Sequence, residues 1–146
     1  MLIGEFSTKL TDKNRLALPK KFREELGPKV IVTSGYDGCL ILVNESMFKS
    51  LTSELSDGRF INDAVRDTTR FLIGSAHEVE MDKQGRFVLP QSLKTYSRID
   101  EEATFLGLVR WVEIWDSEKW NQKKAQITEN SSEIAQKLEE SLKING

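Results

Sequence analysis

The feature that most constrains the fold of this chain is an internal repeat centred on an arginine in a predicted tight turn. The segment TDKNRLALPKKF, residues 11–22, matches DKQGRFVLPQSL, residues 82–93, at an offset of 71 positions. At this offset Arg15 aligns with Arg86, and Pro19 aligns with Pro90. Two copies are too few for a solenoid, because stacked repeats need about three units to bury a continuous core. The repeat therefore predicts a pseudo-symmetric pair that closes one shared core.

The length of the chain supports the same interpretation. Half of a 146-residue chain would bury only a marginal hydrophobic core by itself, so the two halves are expected to fold as one unit. The composition, with 38% apolar and 30% charged residues, is ordinary for a globular protein in water.

Rare residue types limit the location and the chemistry of the protein. One cysteine, Cys39, excludes an internal disulfide, and with one histidine, His77, the chain has too few ligands for a zinc site of histidines and cysteines. The N-terminus carries no secretion signal, and the longest apolar run, Cys39 to Val43, is too short to cross a bilayer. We therefore expect a cytoplasmic protein with no membrane contact, no metal and no cofactor.

The repeated segment predicts a strand, a turn, a second strand and a short helix. Asn14 and Gly85 occupy equivalent turn positions, and these two residue types most readily adopt a positive φ. Pro19 and Pro90 suit the first turn of a helix, where a missing N–H breaks no intrahelical bond.

Further strands and helices follow each repeated segment. Strands are predicted at 30–33, 39–43, 103–108 and 111–115, and helices are expected to begin after the capping residues Asn44 and Asp116. A helical stretch at 51–73 is broken near Asp57 and Gly58 and places Ile61, Val65, Thr68 and Leu72 on one face. The polar tail after Trp120 has apolar residues at helical spacing, namely Ile127, Ile134, Leu138 and Leu142. These elements predict a first module at 5–48, a helical connector at 49–75, a second module at 76–120 and a helical tail at 121–146.

The residues that carry most enzymatic chemistry are scarce in this chain. His77 has no neighbouring nucleophile motif, Cys39 lies in an apolar strand, and Asp82 is an isolated acid of the kind that usually forms turns. There is no glycine-rich phosphate loop. We therefore expect no enzymatic activity and no small-molecule substrate; a cavity lined by Asp82 and His77 is the one arrangement that would favour catalysis.

Charge is distributed unevenly between the two repeats. The stretch 9–23 holds six basic residues and one acid, a local charge of +5 in a chain with a net charge of −2. The equivalent stretch 78–94 is balanced. A basic hairpin can enter the major groove of DNA, where arginine reads guanine and lysine neutralises phosphate. The candidate DNA-binding residues are Arg15, Arg86, Lys13, Lys83, Lys20 and Arg23.

A structural alternative explains the same arginines without DNA. Arg15 and Arg86 would then pair with the nearby Asp12 and Asp82 and only stabilise their turns. Likewise, Lys20, Lys21 and Arg23 resemble the exposed face of any amphipathic helix.

Four segments are distinctive when taken together: the opening residues 1–4, the run KNRLALPKKFRE, the run DKQGRFVLPQSL and the run VEIWDSEKW at 112–120. In combination they resemble the MraZ family of bacterial transcriptional regulators. The resemblance covers nearly the whole chain to Trp120, including the spacing of the two copies. The family's Asp-x-x-Gly-Arg turn falls on Asp82, Gly85 and Arg86 unchanged, and in the first copy on Thr11, Asn14 and Arg15. Thr11 is a weaker acceptor of turn amides than aspartate, and Asp12 is the alternative acceptor.

The resemblance implies an α+β fold made of two SpoVT-AbrB-like modules, a pseudo-symmetric swapped-hairpin β-barrel (double-split barrel) with flanking helices. It implies a nucleoid-associated repressor of the division and cell-wall gene cluster that binds tandem repeats in double-stranded DNA upstream of its own operon. It also implies a ring-shaped homo-oligomer. The main alternative is an antitoxin-like protein-interaction module, in which the tail after Trp120 would dock a partner protein.

Overall fold

The computed structural model describes residues 1–145, which form eight strands and six α-helices. The strands are β1 (Ile3–Lys9), β2 (Arg15–Ala17), β3 (Lys29–Ser34), β4 (Leu40–Val43), β5 (His77–Glu80), β6 (Arg86–Val88), β7 (Glu102–Leu108) and β8 (Val112–Asp116). The helices are α1 (Lys20–Leu26), α2 (Glu45–Ser56), α3 (Asp63–Leu72), α4 (Gln91–Ser97), α5 (Ser117–Glu129) and α6 (Ser131–Asn145). The predicted α+β class is confirmed.

Six of the strands form one antiparallel sheet in the order β1-β7-β8-β4-β3-β5. The two central strands, β8 and β4, are equivalent strands of the two repeats. The first strand of each repeat lies at an edge and pairs with a strand of the other repeat, β1 with β7 and β5 with β3. The repeats are therefore interleaved in one sheet.

The remaining strands, β2 and β6, pair with each other as an antiparallel two-stranded ribbon, here called the ribbon. The sequence predicted a strand on both sides of each turn, and both strands are present. However, β1 and β2 do not continue as a paired hairpin, because β1 joins the large sheet and β2 joins the ribbon. Pairing across the repeats places Leu16 directly opposite Phe87, so both side chains are buried together.

The hydrogen-bonded order of the large sheet has two ends, at β1 and β5. Within residues 1–145 the strand pairing therefore does not close the sheet into a barrel. What the structure establishes is an antiparallel sheet, a separate ribbon and flanking helices.

Local sequence signals account for the turns and the helix starts. Asn14 has a φ of 57° and Gly85 a φ of 77°, so both predicted left-handed positions are confirmed. Helices α1 and α4 begin directly after Pro19 and Pro90. The side chain of Asn44 caps α2 by accepting a hydrogen bond from the Met47 amide at 2.9 Å.

One hydrophobic core contains side chains from both repeats. Equivalent positions fill it in pairs, and the members of each pair are almost fully buried: Leu16 with Phe87, Leu18 with Leu89, and Phe22 with Leu93. The expectation that the halves share one core is confirmed.

The connector between the repeats differs in one respect from the predicted helix. The break near Asp57 and Gly58 is present, but α3 begins only at Asp63. Ile61 therefore lies in the loop before α3 and is exposed, so its predicted place on the helix face is wrong. The side chain of Asn62 accepts hydrogen bonds from the amides of Ala64 and Val65, and this cap fixes the later helix start.

The tail after Trp120 is helical, as predicted. Helix α5 is held against β1 by the Glu5 carboxylate, which accepts hydrogen bonds from Trp120 Nε1 and, at 2.7 Å, from Lys124 Nζ. The hydrogen bond from Lys124 is the largest cause of a lowered pKa of the Glu5 carboxyl. In α6, by contrast, Ile134, Leu138 and Leu142 are exposed. None of the described helices combines the length and apolar character that crossing a bilayer requires.

Candidate nucleic-acid interface

The ribbon carries both turn arginines on one face. Side chains alternate along a strand, and Leu16 and Phe87 face the core with 0% and 2% of their surface exposed. Arg15 and Ala17 of β2, with Arg86 and Val88 of β6, therefore point the other way. Val88 is 54% exposed, which identifies this outer face as solvent-facing.

The register places the two arginines diagonally across the ribbon. Arg15 is opposite Val88, and Ala17 is opposite Arg86. Diagonal neighbours on one face of an antiparallel pair are about 7–8 Å apart. Residues that are 71 positions apart in sequence thus form one compact pair of cations.

Each turn is tied to the strand end of the other repeat. The Leu18 amide donates to the Gly85 carbonyl at 2.9 Å, and the Leu89 amide donates to the Asn14 carbonyl at 2.8 Å. These are equivalent bonds under the repeat. They extend the ribbon pairing beyond its strands and fix the position of each turn relative to the other.

In the second turn, Asp82 organises both the backbone and the arginine. Its Oδ1 accepts hydrogen bonds from the amides of Gln84 and Arg86, each at 2.9 Å. Its Oδ2 accepts one from Arg86 Nε at 2.9 Å. These bonds, the one from the Arg86 amide first, hold the pKa of the Asp82 carboxyl below its ordinary value.

The paired Arg86 still has free donors. Its side chain is 40% exposed, and within the described residues its two terminal nitrogens make no hydrogen bond to the protein. Asp82 thus restricts the orientation of the guanidinium and leaves its outer edge open. The structural alternative is correct that Arg86 pairs with Asp82, and this pairing leaves the two terminal nitrogens of the guanidinium facing away from Asp82.

The first turn presents its arginine without an acidic partner. Thr11 Oγ1 accepts the hydrogen bond from the Arg15 amide at 3.1 Å, which corresponds to one of the three hydrogen bonds that the Asp82 carboxylate accepts in the second turn. Of the two alternative acceptors, Thr11 is the one whose side chain reaches the Arg15 amide. In the described part of the chain the Arg15 guanidinium forms no ion pair, so the predicted pairing with Asp12 is also absent.

The other candidate residues lie in and beside the two turns. Lys13 and Lys83 are exposed within the turns, and Lys20 is exposed at the start of α1. Arg23 is half-buried, because its guanidinium packs against the second turn and Nη1 donates to the Lys83 carbonyl at 3.3 Å. Sequence reasoning missed Lys94, whose Nζ donates to Asn14 Oδ1 at 3.0 Å. The signal was available, since Lys94 is the repeat equivalent of Arg23.

The residues considered for catalysis occupy structural positions. His77 is exposed at the start of β5, beside Ser92. Cys39 is buried, and burial raises the pKa of its thiol. Asp82 is engaged by its own turn. Among the described residues, no group of three or more histidine, cysteine or acidic side chains is arranged to hold a metal.

The fold and this site define a class: an α+β protein in which two sequence repeats interleave and present paired turn arginines on one ribbon. The family model described as "MraZ protein, putative antitoxin-like" matches the chain twice, at residues 1–71 and 72–141. The chain belongs to the MraZ family.

Curated relatives agree over most of the chain. A protein of Caldicellulosiruptor saccharolyticus named "Transcriptional regulator MraZ" is 39% identical over 140 residues, which is 96% of this chain and 98% of the relative. Proteins of the same name from Clostridium acetobutylicum and Syntrophomonas wolfei are 42% and 36% identical over 120 and 138 residues. These alignments cover 82% and 94% of this chain and 84% and 96% of those relatives.

Proposed function

We propose that this protein is a sequence-specific DNA-binding transcriptional repressor that contacts DNA through the outer face of the ribbon. The observation that carries the proposal is the diagonal pair Arg15 and Arg86 on that face. Diagonal positions on one face of an antiparallel pair are about 7–8 Å apart at the backbone, which is about two base-pair steps of DNA. One chain would therefore contact one short site through both repeats.

The two arginines are suited to different contributions, one to nonspecific attraction for DNA and the other to sequence specificity. Asp82 holds Arg86 at Nε, so its terminal nitrogens are pre-oriented to donate to guanine O6 and N7. Arg15 lies in the stretch of charge +5, and within residues 1–145 its guanidinium has no acidic partner. Exposed Lys13, Lys83 and Lys20 would neutralise phosphates beside both arginines. The first repeat would thus supply more of the nonspecific attraction, and the second more of the specificity.

The wider biological role is proposed from family membership. The protein would bind tandem repeats upstream of its own operon in the division and cell-wall gene cluster, and it would act in the cytoplasm on the nucleoid. A ring-shaped homo-oligomer would let several modest contacts act together on repeated sites. The large sheet and the ribbon taken together would correspond to an AbrB-like double-split barrel with exchanged hairpins, with modules at 5–48 and 76–120, a connector at 49–75 and a tail at 121–146.

Titration of promoter DNA by fluorescence anisotropy tests the proposal. The probe is the DNA directly upstream of the chain's own gene, compared with a scrambled duplex of equal length. Arg15→Ala and Arg86→Ala should each weaken specific binding by about 1–3 kcal/mol if the arginine reads a base. Arg110→Ala, an exposed arginine in the turn between β7 and β8, is the matched control and should bind normally. Unchanged affinity in both ribbon variants would refute the assignment.

Footprinting on the same DNA tests the site arrangement. Protection of regularly spaced short repeats is expected, and uniform protection would contradict sequence-specific binding. Lys13→Ala and Lys83→Ala should weaken specific and scrambled DNA alike and reduce the salt dependence by about one phosphate contact each.

The second candidate function is an antitoxin-like module that binds a partner protein. The observation that favours it is the exposed apolar stripe of α6, formed by Ile134, Leu138 and Leu142. Deleting residues 131–146 separates the two candidates. A DNA reader should keep its preference for promoter over scrambled DNA, whereas a partner-docking module should lose the binding of its partner protein.

A further inference from the structure

In each repeat, one basic side chain contacts the turn of the other repeat. Arg23 in the last turn of α1 donates to the Lys83 carbonyl, and Lys94 in α4 donates to the Asn14 side chain. The two cations are equivalent under the repeat. Their targets lie in the two turns that present Arg86 and Arg15.

The contact at the second turn depends on a glycine. A Cβ added at Gly85 would lie 2.5 Å from Arg23 Nε and 2.8 Å from Arg23 Cζ, closer than real side-chain contacts allow. Among the residues that the structure describes, Arg23 Nε is buried and has no hydrogen-bond partner, so the guanidinium is held there mainly by packing. Gly85 therefore leaves open the space that Arg23 occupies, and a side chain at this position would force the end of Arg23 to move.

The contact at the first turn is built differently. Asn14 adopts a φ of 57° and does have a Cβ, and the cation that approaches it is a lysine. The slim Lys94 side chain ends in an ammonium group that donates a hydrogen bond to Asn14 Oδ1 at 3.0 Å. The equivalent residue of the second turn, Gly85, has no side-chain acceptor. Glycine therefore accompanies arginine at one turn, and asparagine accompanies lysine at the other.

We infer that Arg23 and Lys94 are positioning residues, each of which holds the arginine-bearing turn of the opposite repeat in its DNA-binding geometry. Gly85 with Arg23 and Asn14 with Lys94 are matched pairs: an arginine on the helix needs a glycine in the opposite turn, whereas a lysine tolerates the asparagine side chain. This inference rests on the proposed DNA-binding function. It assigns Arg23 an action through the second turn in place of the direct DNA contact expected from the sequence.

Transplanting the first pair into the second turn tests the inference. Gly85→Asn alone should displace Arg23 and weaken promoter binding by about tenfold or more, the equivalent of one lost base contact. Arg23→Lys alone keeps the charge and should change the dissociation constant by less than about threefold. The double variant recreates the pair seen at Asn14 and Lys94, so it should recover most of the lost affinity and the preference over scrambled DNA.

Further variants guard against failure to fold and against general charge effects. The reverse transplant uses Lys94→Arg, which should weaken binding alone and recover when combined with Asn14→Gly, since glycine readily takes a φ of 57°. Lys21→Ala, an exposed cation on α1, should give no rescue when combined with Gly85→Asn. Arg23→Ala should leave the salt dependence of binding unchanged. If Arg23 contacted a phosphate, its removal would lower the slope of log affinity against log salt concentration by about one.

A readout without DNA separates this inference from the proposed function. Hydrogen exchange of the Arg86 amide should accelerate in Gly85→Asn and return towards the parent rate in the double variant. The inference would be overturned if the effects of Gly85→Asn and Arg23→Lys simply added in both the exchange rate and the DNA affinity. It would also be overturned if the two substitutions were coupled in the exchange rate but additive in the DNA affinity. Coupled exchange in a parent chain that shows no specific DNA binding would support the matched pairs and refute the proposed function instead.

Discussion

Replacing Phe87 by alanine tests which face of the ribbon points into the core. Phe87 is 2% exposed and lies opposite Leu16, which is fully buried. Truncating a buried phenylalanine costs about 3–5 kcal/mol, because transfer free energy is lost and the cavity refills only in part. That is a large fraction of the roughly 5–15 kcal/mol by which domains are stable.

The assay is urea unfolding followed by tryptophan fluorescence, with Val88→Ala as the matched control. Val88 is the next residue of the same strand and is 54% exposed, so its truncation should change the free energy of unfolding by less than about 0.5 kcal/mol. Leu16→Ala should cost about 2–5 kcal/mol. Because the two side chains share one cluster, the double variant should deviate from additivity by about 0.5–3 kcal/mol.

A cost below about 1 kcal/mol for Phe87→Ala, with a larger cost for Val88→Ala, would refute the reasoning. A slip of one residue in a strand exchanges its two faces. Such a result would therefore place the turn arginines on the inner face of the ribbon, and the proposed DNA interface would fall with it.

Three further predictions concern single sites. Gly107→Ala should lower the free energy of unfolding by about 1–3 kcal/mol in the same assay, because the added Cβ would lie 2.5 Å from the Ile3 amide nitrogen. A neutral result would contradict the close approach of β1 and β7. The pKa of the Asp82 carboxyl is lowered, so its ion pair with Arg86 should survive through the ordinary titration range of aspartate and be lost only as the pH falls through the lowered pKa. An NMR titration of the Arg86 Nε–H measures this, and a midpoint at an ordinary or raised aspartate pKa would contradict it. The Cys39 thiol should resist iodoacetamide in the folded protein and react readily in urea, because burial raises its pKa; rapid labelling of the folded protein would contradict its burial.

Much of the local structure was predictable from short segments. The left-handed positions Asn14 and Gly85, the helices after Pro19 and Pro90, and the cap at Asn44 all follow from backbone requirements that a few residues encode. The start of α3 was placed wrongly, because a second capping residue overrode the apolar periodicity.

The site could be predicted only in part for a related reason. Sequence singled out Arg15 and Arg86 as equivalent turn residues, and the exposed lysines lay beside them. It did not place the two arginines on one face, and it missed Lys94. Contacts such as that of Arg23 with Gly85 join residues that are far apart along the chain, so no local pattern reports them.

The sequence by itself determined that two alike units, each with a turn, a proline and a short helix, share one core. Only the tertiary structure decided which strands pair. Because the repeats are alike, the alternation of apolar and polar residues in β2 is compatible with pairing to either strand. The backbone hydrogen bonds of β2 can likewise be formed within a repeat or between the repeats. The burial of Leu16 against Phe87 in one shared core selects pairing between the repeats. That choice brings Arg15 and Arg86 onto a single surface.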